Sequence, residues 1–363
     1  MKLSIDKDVL LSGIQTVQNV IIAKTSLPIL SNILLEAQNE QLRLTATDLD
    51  IGITCVVPVE VRETGAITVP AKRFSDIIKE LPAGKIQLMA KKNNQMNIEA
   101  PPCQFRVMGL AREEFPRLPE FKDKEVINVG QKDLKEMLRV TSFAASTDEH
   151  RYILNGVLFR FHKNNLTMVA TDGKRLAVVE KKLNTPSNIE ASIIVPQKAV
   201  QELGRNLKDE GSVSLVLGLN QVLFELGFTS IISRLIEGEF PDYKQVIPSP
   251  TDNKLRLNRG EFLLAVKRAA LLSTPDYQAV KLEVFKNKLV LSKSTPDVGE
   301  SREEISIAYV GKELVVGFNP LYLVDVLKNL DVEFIDLELT DTEKPGVIRN
   351  DGYTYIVLPM RLG

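Results

Sequence analysis

The residues of this chain that could do chemistry are few and loosely grouped. Asp48 and Asp50 are alternate residues, and alternate residues of a strand share a face, so they could form a carboxylate pair for acid–base catalysis. Asp48 also follows an alternating stretch at 42–47, where a turn is expected, and the turn is the interpretation we favour. His150 lies in a charged cluster at 148–151, which a polar surface loop explains better than a general base does.

Metal and cofactor chemistry have little support in the sequence. The two cysteines, Cys55 and Cys103, are 48 residues apart, and the two histidines, His150 and His162, are 12 apart, and these spacings fit no zinc pattern. The sequence contains no Walker-type phosphate loop, dinucleotide glycine fingerprint, nucleophile elbow or paired-histidine zinc helix. We therefore expect no metal, no cofactor and no catalysis, with the thiols buried in a reducing compartment.

The elements that must position any site follow from hydrophobic periodicity. Six stretches have apolar residues at the helical period of 3.6, and short alternating runs between them are separated by asparagine-containing turns typical of hairpins. The predicted helices are 8–20, 72–80, 131–142, 197–208, 258–271 and 320–329. The predicted turns contain Asn39, Asn93, Asn94, Asn164, Asn165, Asn220, Asn287 and Asn350.

These elements repeat along the chain. The tripeptide Ala-Thr-Asp at 46–48 recurs at 170–172, and Phe-Pro at 115–116 recurs at 240–241, so the two offsets are 124 and 125 residues. A weaker third copy includes Phe-Asn-Pro at 318–320. The sequence therefore predicts an α+β fold of three repeated domains, 1–121, 125–248 and 249–363, each with two helices on antiparallel sheets and built as a doubled β–α–β unit.

The charge balance limits the kind of partner. With 46 basic and 47 acidic residues the net charge is −1, so bulk electrostatic capture of nucleic acid is not indicated. The helices are more basic than the remainder, and their cationic faces could contact phosphates without reading bases, although ordinary solvated helix faces explain them too. No apolar run approaches the ~18 residues of a membrane helix, and no secretion signal is evident, so we expect a cytoplasmic protein. The helical cations concerned are Lys72, Arg73, Lys79, Lys198, Arg205, Lys208 and Lys267.

Seven stretches, in order and over nearly the whole chain, resemble the bacterial sliding clamps, the beta subunits of the replicative DNA polymerase. They are 27–35, 44–49, 151–159, 169–177, 239–243, 317–320 and 355–362. The resemblance implies a non-catalytic processivity factor that forms a head-to-tail homodimer, a ring of six domains whose twelve helices surround duplex DNA. It also implies that Lys24 and Lys198 approach the DNA.

The resemblance further implies a peptide-binding pocket between the second and third domains. Short linear motifs of the replicative polymerase, the clamp loader, repair and translesion polymerases, and mismatch-repair and ligase-type proteins would bind there. Arg175 and the backbone near Gly173 would orient a polar residue of the motif. The pocket would consist of Leu154, Thr171, Gly173, Lys174, Arg175, Leu176, Pro241, Val246, Asn319, Tyr322, Val347, Leu358, Pro359, Met360 and Arg361.

Ring closure would pair the first domain with the third domain of the partner. By the same resemblance, Phe105 and Val107 would face Leu271 and Leu272. Basic residues would meet acidic ones around this apolar contact. The charged residues are Arg73 and Arg106 on one side and Asp297, Glu300, Glu303 and Glu304 on the other.

Two other functions remain open at this point. One is an enzyme that uses Asp48 or Asp172 as a catalytic carboxylate. The other is a repeat scaffold that binds proteins without encircling DNA.

Overall fold

The computed structural model describes residues 1–21, 26–121, 125–183 and 189–362. The chain forms two compact units, Met1–Lys132 with Lys198–Leu235 and Asp133–Gln197 with Ile236–Gly363. Each unit contains two antiparallel sheets and helices that pack on them. Both units are therefore built from segments that are distant in the sequence.

The strands alternate between buried and exposed side chains, as half-buried strands require. Within the described residues they are β1 (Lys2–Asp6), β2 (Asn32–Gln38), β3 (Gln41–Thr47), β4 (Ile51–Pro58), β5 (Glu60–Glu63), β6 (Gly65–Pro70), β7 (Lys85–Ala90), β8 (Gln95–Ala100), β9 (Cys103–Met108), β10 (Val126–Gly130), β11 (Gly156–His162), β12 (Asn165–Thr171), β13 (Arg175–Lys182), β14 (Ala191–Pro196), β15 (Ser212–Leu217), β16 (Gln221–Leu226), β17 (Thr229–Arg234), β18 (Lys254–Asn258), β19 (Val280–Phe285), β20 (Lys288–Thr295), β21 (Gly299–Ser306), β22 (Leu314–Phe318), β23 (Phe334–Glu338), β24 (Gly346–Asn350) and β25 (Tyr353–Val357).

The helices lie close to the predicted positions. They are α1 (Lys7–Gln18), α2 (Ala71–Glu80), α3 (Gln131–Thr141), α4 (Gln197–Asn206), α5 (Arg259–Ala270) and α6 (Pro320–Asn329). Asp6, Asn258 and Asn319 cap α1, α5 and α6 by accepting hydrogen bonds from backbone N–H groups of the first turn. Short 3-10 helices cover Pro28–Ser31, Arg112–Glu114, Ser142–Ala144, Glu149–Leu154 and Tyr243–Val246.

The two large sheets have the same topology. In the first unit the eight-stranded order is β10-β15-β16-β17-β4-β3-β2-β6, and in the second it is β14-β11-β12-β13-β25-β24-β23-β18. When the second order is read backwards and set beside the first, each strand stands beside its equivalent in the other unit. In this alignment β4 corresponds to β13 and β17 to β25. The smaller sheets are β5-β1-β7-β8-β9 in the first unit and β21-β20-β19-β22 in the second.

The expected β–α–β arrangement is wrong. The strands before and after each helix belong to different sheets, as with β1 and β2 around α1 and β22 and β23 around α6. All strand pairs among the described residues are antiparallel. A helix that leads from one sheet to another therefore forms no parallel crossover.

The apolar stripes predicted from the sequence are the cores of the units. Leu10, Ile14 and Val17 of α1 are fully buried, as is Phe74 of α2. In the second unit Phe262 of α5 is also fully buried. Among the helices of the described residues, none has both the length and the apolar character needed to cross a membrane.

Candidate functional site

The site begins with a tight turn between β12 and β13. Thr171 Oγ1 donates to the carbonyl of Arg175 at 2.5 Å and accepts from the N–H of Gly173 at 3.0 Å. Asp172 Oδ1 accepts from the N–H groups of Lys174 and Arg175 at 2.8 and 3.0 Å. Gly173 has a φ of +84°, and a Cβ there would lie 2.6 Å from Nη1 of Arg151. Hydrogen bonds and backbone sterics together fix the shape of this turn.

The first unit contains the same turn between β3 and β4. Thr47 Oγ1 donates to the carbonyl of Ile51 at 2.8 Å, and Asp48 Oδ1 accepts from the N–H groups of Asp50 and Ile51 at 3.0 and 2.7 Å. Leu49 takes the place of Gly173, with a φ of +81°. The favoured interpretation of 48–50 as a turn is thus confirmed, and the carboxylate of Asp48 is a turn acceptor that also contacts the ammonium of Lys198.

In the second unit the turn forms one wall of a cleft with a volume of about 440 Å³. The 3-10 helix Tyr243–Val246, the residues before it and the end of β25 also line the cleft. Nine of the residues predicted for the pocket line this cleft. They are Leu154, Thr171, Gly173, Lys174, Arg175, Leu176, Pro241, Val246 and Leu358.

The prediction omitted four lining residues: Asp242, Tyr243, Pro345 and Ile356. Three of them had a signal in the sequence. Asp242 and Tyr243 directly follow the repeated Phe-Pro pair, and Ile356 alternates with Leu358, so strand periodicity places both on one face. Nothing in the sequence near Pro345 indicates that it lies at the cleft.

An apolar cluster lies beneath the cleft and supports its floor. Leu176, Tyr243 and Ile356 belong both to the cleft lining and to this cluster. Val347, predicted as a pocket residue, packs in the cluster and is buried. The other members are Leu158, Val169, Ile194 and Ile236. A well-packed floor keeps the cleft open in a defined shape.

Five other predicted residues lie outside the cleft lining. Asn319 caps α6 by accepting from the N–H of Leu321 at 3.0 Å. The N–H of Met360 donates to the carbonyl of Gly317 at 2.8 Å and so holds the tail against β22. Tyr322 packs against Arg175, Pro359 is partly buried and Arg361 is exposed.

The guanidinium of Arg175 is held on three sides. Its Nε donates to Asp172 Oδ2 at 3.0 Å, Nη1 to Asp325 Oδ2 at 2.6 Å and Nη2 to the carbonyl of Phe143 at 2.7 Å. Its Cζ lies 4.4 Å from the ring centroid of Tyr322, a cation–π distance. Burial opposes the charge, but the hydrogen bond to Asp325 and the nearby acids outweigh it and raise the pKa of Arg175. Arg175 therefore stays charged and connects the turn to α6.

Two tyrosines complete this network. Tyr355 Oη donates to the carbonyl of Tyr322 at 2.9 Å, and the Tyr355 ring lies 5.8 Å from that of Phe143. Burial raises the pKa of the Tyr322 and Tyr355 hydroxyls above the ordinary tyrosine value, so both hydroxyls stay protonated.

The predicted DNA-facing residues have different surroundings. Lys72, Arg73, Lys79, Lys208 and Lys267 are exposed. Lys198 instead contacts the carboxylate of Asp48, and Arg205 contacts that of Glu202, so these two charges are compensated within the chain. Lys24 lies outside the described residues.

The predicted interface residues lie mostly on two strand edges. Phe105, Arg106 and Val107 are on β9, at the edge of the five-stranded sheet, and the acids Glu300, Glu303 and Glu304 are on β21, at the edge of the four-stranded sheet. Phe105 is exposed, whereas Val107 is only 3% exposed because it packs into its own sheet, which limits what it can offer a partner. Leu271 is 81% exposed and Leu272 is partly buried. Asp297 has a φ of +61° in the β20–β21 turn.

Several of these charges already have partners in the same chain. Arg268 pairs with Glu303, Ser294 donates to Glu300 at 3.0 Å, and Arg302 donates to Glu304 at 2.6 Å.

The histidines and cysteines form no metal centre in the described residues. His162 Nδ1 lies 2.6 Å from Oε2 of Glu190. Within the described parts of the chain, no group of three or more histidine, cysteine or acidic side chains could hold a metal ion.

Comparison with known proteins assigns the repeats to a family. The models of the N-terminal, central and C-terminal domains of the DNA polymerase III beta subunit match residues 1–119, 128–242 and 244–361. The chain is 33% identical to the beta sliding clamp of Chlamydia muridarum over 363 residues, covering all of this chain and 99% of that one. It is 35% identical to the beta sliding clamp of Pseudomonas putida over 367 residues, covering both chains completely.

Solved structures agree with these matches. The sliding clamp of Pseudomonas aeruginosa bound to griselimycin superposes with a TM-score of 0.94 at 34% identity, and that of Bacillus subtilis with a TM-score of 0.94 at 31% identity, each covering all of both chains. Fold and site therefore define a protein of three clamp domains, α+β with antiparallel sheets.

The chain belongs to the family of DNA polymerase III beta subunits, the beta sliding clamps. Its role is that of a sliding clamp, a non-catalytic processivity factor, and the interpretation as a carboxylate enzyme is abandoned. The hydrogen bonds that the carboxylates of Asp48 and Asp172 accept hold the two turns and give both residues a structural role.

Proposed function

We propose that this chain tethers replication proteins to DNA by binding their short linear motifs in the cleft. The observation that carries the proposal is the cleft itself, an apolar hollow whose wall is a turn fixed by hydrogen bonds and whose floor is a packed cluster. Its volume of about 440 Å³ lies within the range of ~300–1,000 Å³ that is typical of ligand sites. Leu358 and Val246 are exposed apolar residues of the lining and offer contacts to an apolar peptide side chain.

Two chains join head to tail in this proposal and form a ring. The edges of β9 and β21 leave backbone groups unpaired, and pairing such edges between copies would extend both sheets. Phe105 and Leu271, both exposed, supply apolar area beside them. The acids on β21 would face Arg73 and Arg106 of the other copy. A head-to-tail contact closes into a ring only where the rotation between copies permits it, and in this proposal two copies complete that rotation.

The ring encircles duplex DNA and slides on it. The exposed cations Lys72, Lys79 and Lys267 of the helices would contact phosphates weakly, without reading sequence. Weak contacts suit a protein that enclosure keeps on DNA, since strong contacts would slow sliding.

The domains of the proposed ring extend over 1–121, 125–248 and 249–363. The partners are the replicative polymerase, the clamp loader, repair and translesion polymerases, and mismatch-repair and ligase-type proteins, in the cytoplasm.

Retention on DNA tests encirclement. We expect a dimer at micromolar concentration by mass in solution. After loading by the clamp loader, the protein should stay on circular DNA and leave once the DNA is linearised. Equal retention on both forms would contradict encirclement and would favour the alternative, a protein-binding scaffold.

A pair of matched substitutions tests the cleft. Val246, 57% exposed, lines the cleft, and Val310, 83% exposed, does not. Val246→Glu should abolish binding of the replicative polymerase from the same organism, and Val310→Glu should leave it unchanged. Equal binding by both variants and the unchanged protein would refute the cleft as the docking site.

A further inference from the structure

The segment between α5 and β19 presents the leucines that the proposed ring contact uses. Leu271 follows α5 and is 81% exposed, and Leu272 is partly buried. Thr274 and Tyr277 exchange two backbone hydrogen bonds, each 3.2 Å long, and so close the segment into a tight turn. We call residues 271–279 the interface loop. Such a loop contributes more to binding when its conformation is fixed beforehand, because ordering it during binding costs free energy.

Two side chains of one strand hold the interface loop. On β20, Thr295 Oγ1 donates to the carbonyl of Leu272 at 2.6 Å, and Lys293 Nζ donates to the carbonyls of Tyr277 and Ala279 at 2.6 and 3.0 Å. Lys293 and Thr295 are alternate residues of the strand, so both lie on the same face of the sheet. They are only 5% and 3% exposed. The loop is therefore anchored to the sheet near both of its ends.

The ammonium of Lys293 is buried without an acid beside it. Among the residues that the structure describes, no carboxylate pairs with it, and burial lowers its pKa. Ser301 lies directly opposite on β21, and its buried hydroxyl has no hydrogen-bond partner in the described part of the chain. An apolar side chain would fill this place at a lower cost in stability. The stability of the sheet therefore does not explain the lysine, whereas the two carbonyls of the interface loop do.

We propose that Lys293 is a positioning residue of the ring interface. From its buried place behind the interface loop it fixes the conformation that presents Leu271 and Leu272 to the other copy. Thr295 holds the other end of the loop and acts in the same direction. The inference rests on the proposed head-to-tail ring and names a residue outside the contact surface on which that ring depends.

A methionine substitution tests the effect on dimerisation. Lys293→Met keeps the length of the side chain and removes its donors, so the loop loses two of its anchors. We expect the dissociation constant of the dimer, measured by sedimentation over a dilution series, to rise about tenfold. Lys281→Met is the matched control and should leave the constant unchanged. Lys281 pairs with Ser292 across the strands and therefore lies on the other face of the same sheet.

Hydrogen exchange separates positioning of the loop from a general loss of stability. The measurement uses the Phe105→Glu background, which removes the apolar contact of the other edge and so leaves the loop unprotected by a second copy. In this background Lys293→Met should make the amides of Thr274 and Tyr277 exchange at least about tenfold faster, while the amides of β19 and β20 keep their protection. Thr295→Val should give the same pattern and tests the proposal even where Lys293→Met does not fold.

The outcomes distinguish this inference from the ring on which it rests. A dissociation constant that neither Lys293→Met nor Thr295→Val changes would overturn the inference while the ring stands. Faster exchange throughout β19 and β20 as well as the loop would also overturn it, because Lys293 would then stabilise the whole sheet. A monomeric unchanged protein at micromolar concentration would refute the ring itself, and the inference with it.

Discussion

Arg175 and Asp325 connect the wall of the cleft to helix α6, with Nη1 of the arginine 2.6 Å from Oδ2 of the aspartate. They are 150 residues apart in the sequence. The contact unites the turn from β12 to β13 with α6 in the second unit. Arg175 therefore acts as a structural support of the cleft, and its role in orienting a residue of a bound motif stays a prediction.

Removal of Asp325 should destabilise the second unit. Asp325→Ala takes one acceptor from a largely buried guanidinium and should lower the free energy of unfolding by roughly 1 kcal/mol, less than for a buried pair because Asp325 is partly exposed. Asp336→Ala is the control, since Asp336 is similarly exposed but pairs with Arg256 only at 3.8 Å. Thermal unfolding measures both. An equal effect of the two substitutions would show that the Arg175 contact contributes nothing.

The two equivalent turns should respond oppositely to substitution. Gly173→Ala places a Cβ at positive φ and close to Arg151, so it should destabilise by about 1 kcal/mol or more. Leu49 already sits at positive φ and is 47% exposed. Leu49→Gly relieves about 1–2 kcal/mol of backbone strain, but it costs about 0.5–1 kcal/mol in unfolded-chain entropy and about 1 kcal/mol in lost apolar burial, so its net effect should be near neutral. Chemical denaturation compares the two variants, and a loss of stability in Leu49→Gly as large as that in Gly173→Ala would contradict the strain argument.

The two thiols should differ in reactivity. Burial raises the pKa of the Cys55 thiol, so less of it is thiolate at pH 8, and it is also shielded from reagents. Cys103 is only partly buried. An aromatic disulfide reagent should modify Cys103 at least about tenfold faster, and Cys103→Ser should remove the fast phase. A single fast phase from both thiols would be inconsistent with this structure.

The same shift makes stability depend on pH. Because the pKa of the Cys55 thiol is raised in the folded state, the contribution of the protonated thiol to the free energy of unfolding is present below pH ~8.5 and falls as the pH rises beyond it.

The C-terminal tail should matter for docking but not for dimerisation. Removal of residues 360–363 loses the bond from Met360 to Gly317, which anchors the tail next to Leu358 of the cleft. Polymerase binding should be lost, while the mass in solution still corresponds to a dimer. Removal of residue 363 alone is the control. Unchanged polymerase affinity in the longer truncation would refute the role of the tail.

The helical cations should contribute unequally to DNA binding. Lys72→Gln or Lys79→Gln removes an exposed charge and should reduce the slope of log affinity against log salt by about 0.9 if one phosphate contact is lost. Lys198→Gln should change the slope less, because Lys198 already pairs with Asp48. Binding to short duplex DNA across salt concentrations measures the slopes. A larger change for Lys198 than for Lys72 would mean that its pair with Asp48 opens on DNA.

Local elements could be predicted from the sequence, and their assembly could not. The periodicity around Leu10 or Phe74 places each helix within a few residues, because burial of one face is a local requirement. The pairing of β13 with β25 joins segments about half the chain apart, and alternation identifies a strand's faces but not its neighbour. For the same reason the resemblance named Arg175 as a pocket residue, but no pattern in the sequence indicated that Asp325 would hold it.

The pairing of β4 with β17 and of β13 with β25 has a consequence for how the molecule can be divided. In each pair the two strands come from different family-matched segments, 1–119 with 128–242 and 128–242 with 244–361. Cutting the chain between the family-matched segments would remove the hydrogen-bonded neighbour of each of these strands. Every fragment would then have an exposed strand edge with unpaired backbone groups. An isolated segment of this kind would therefore self-associate through its exposed edge. A chain that contains all three segments is the smallest piece in which these strand edges stay paired.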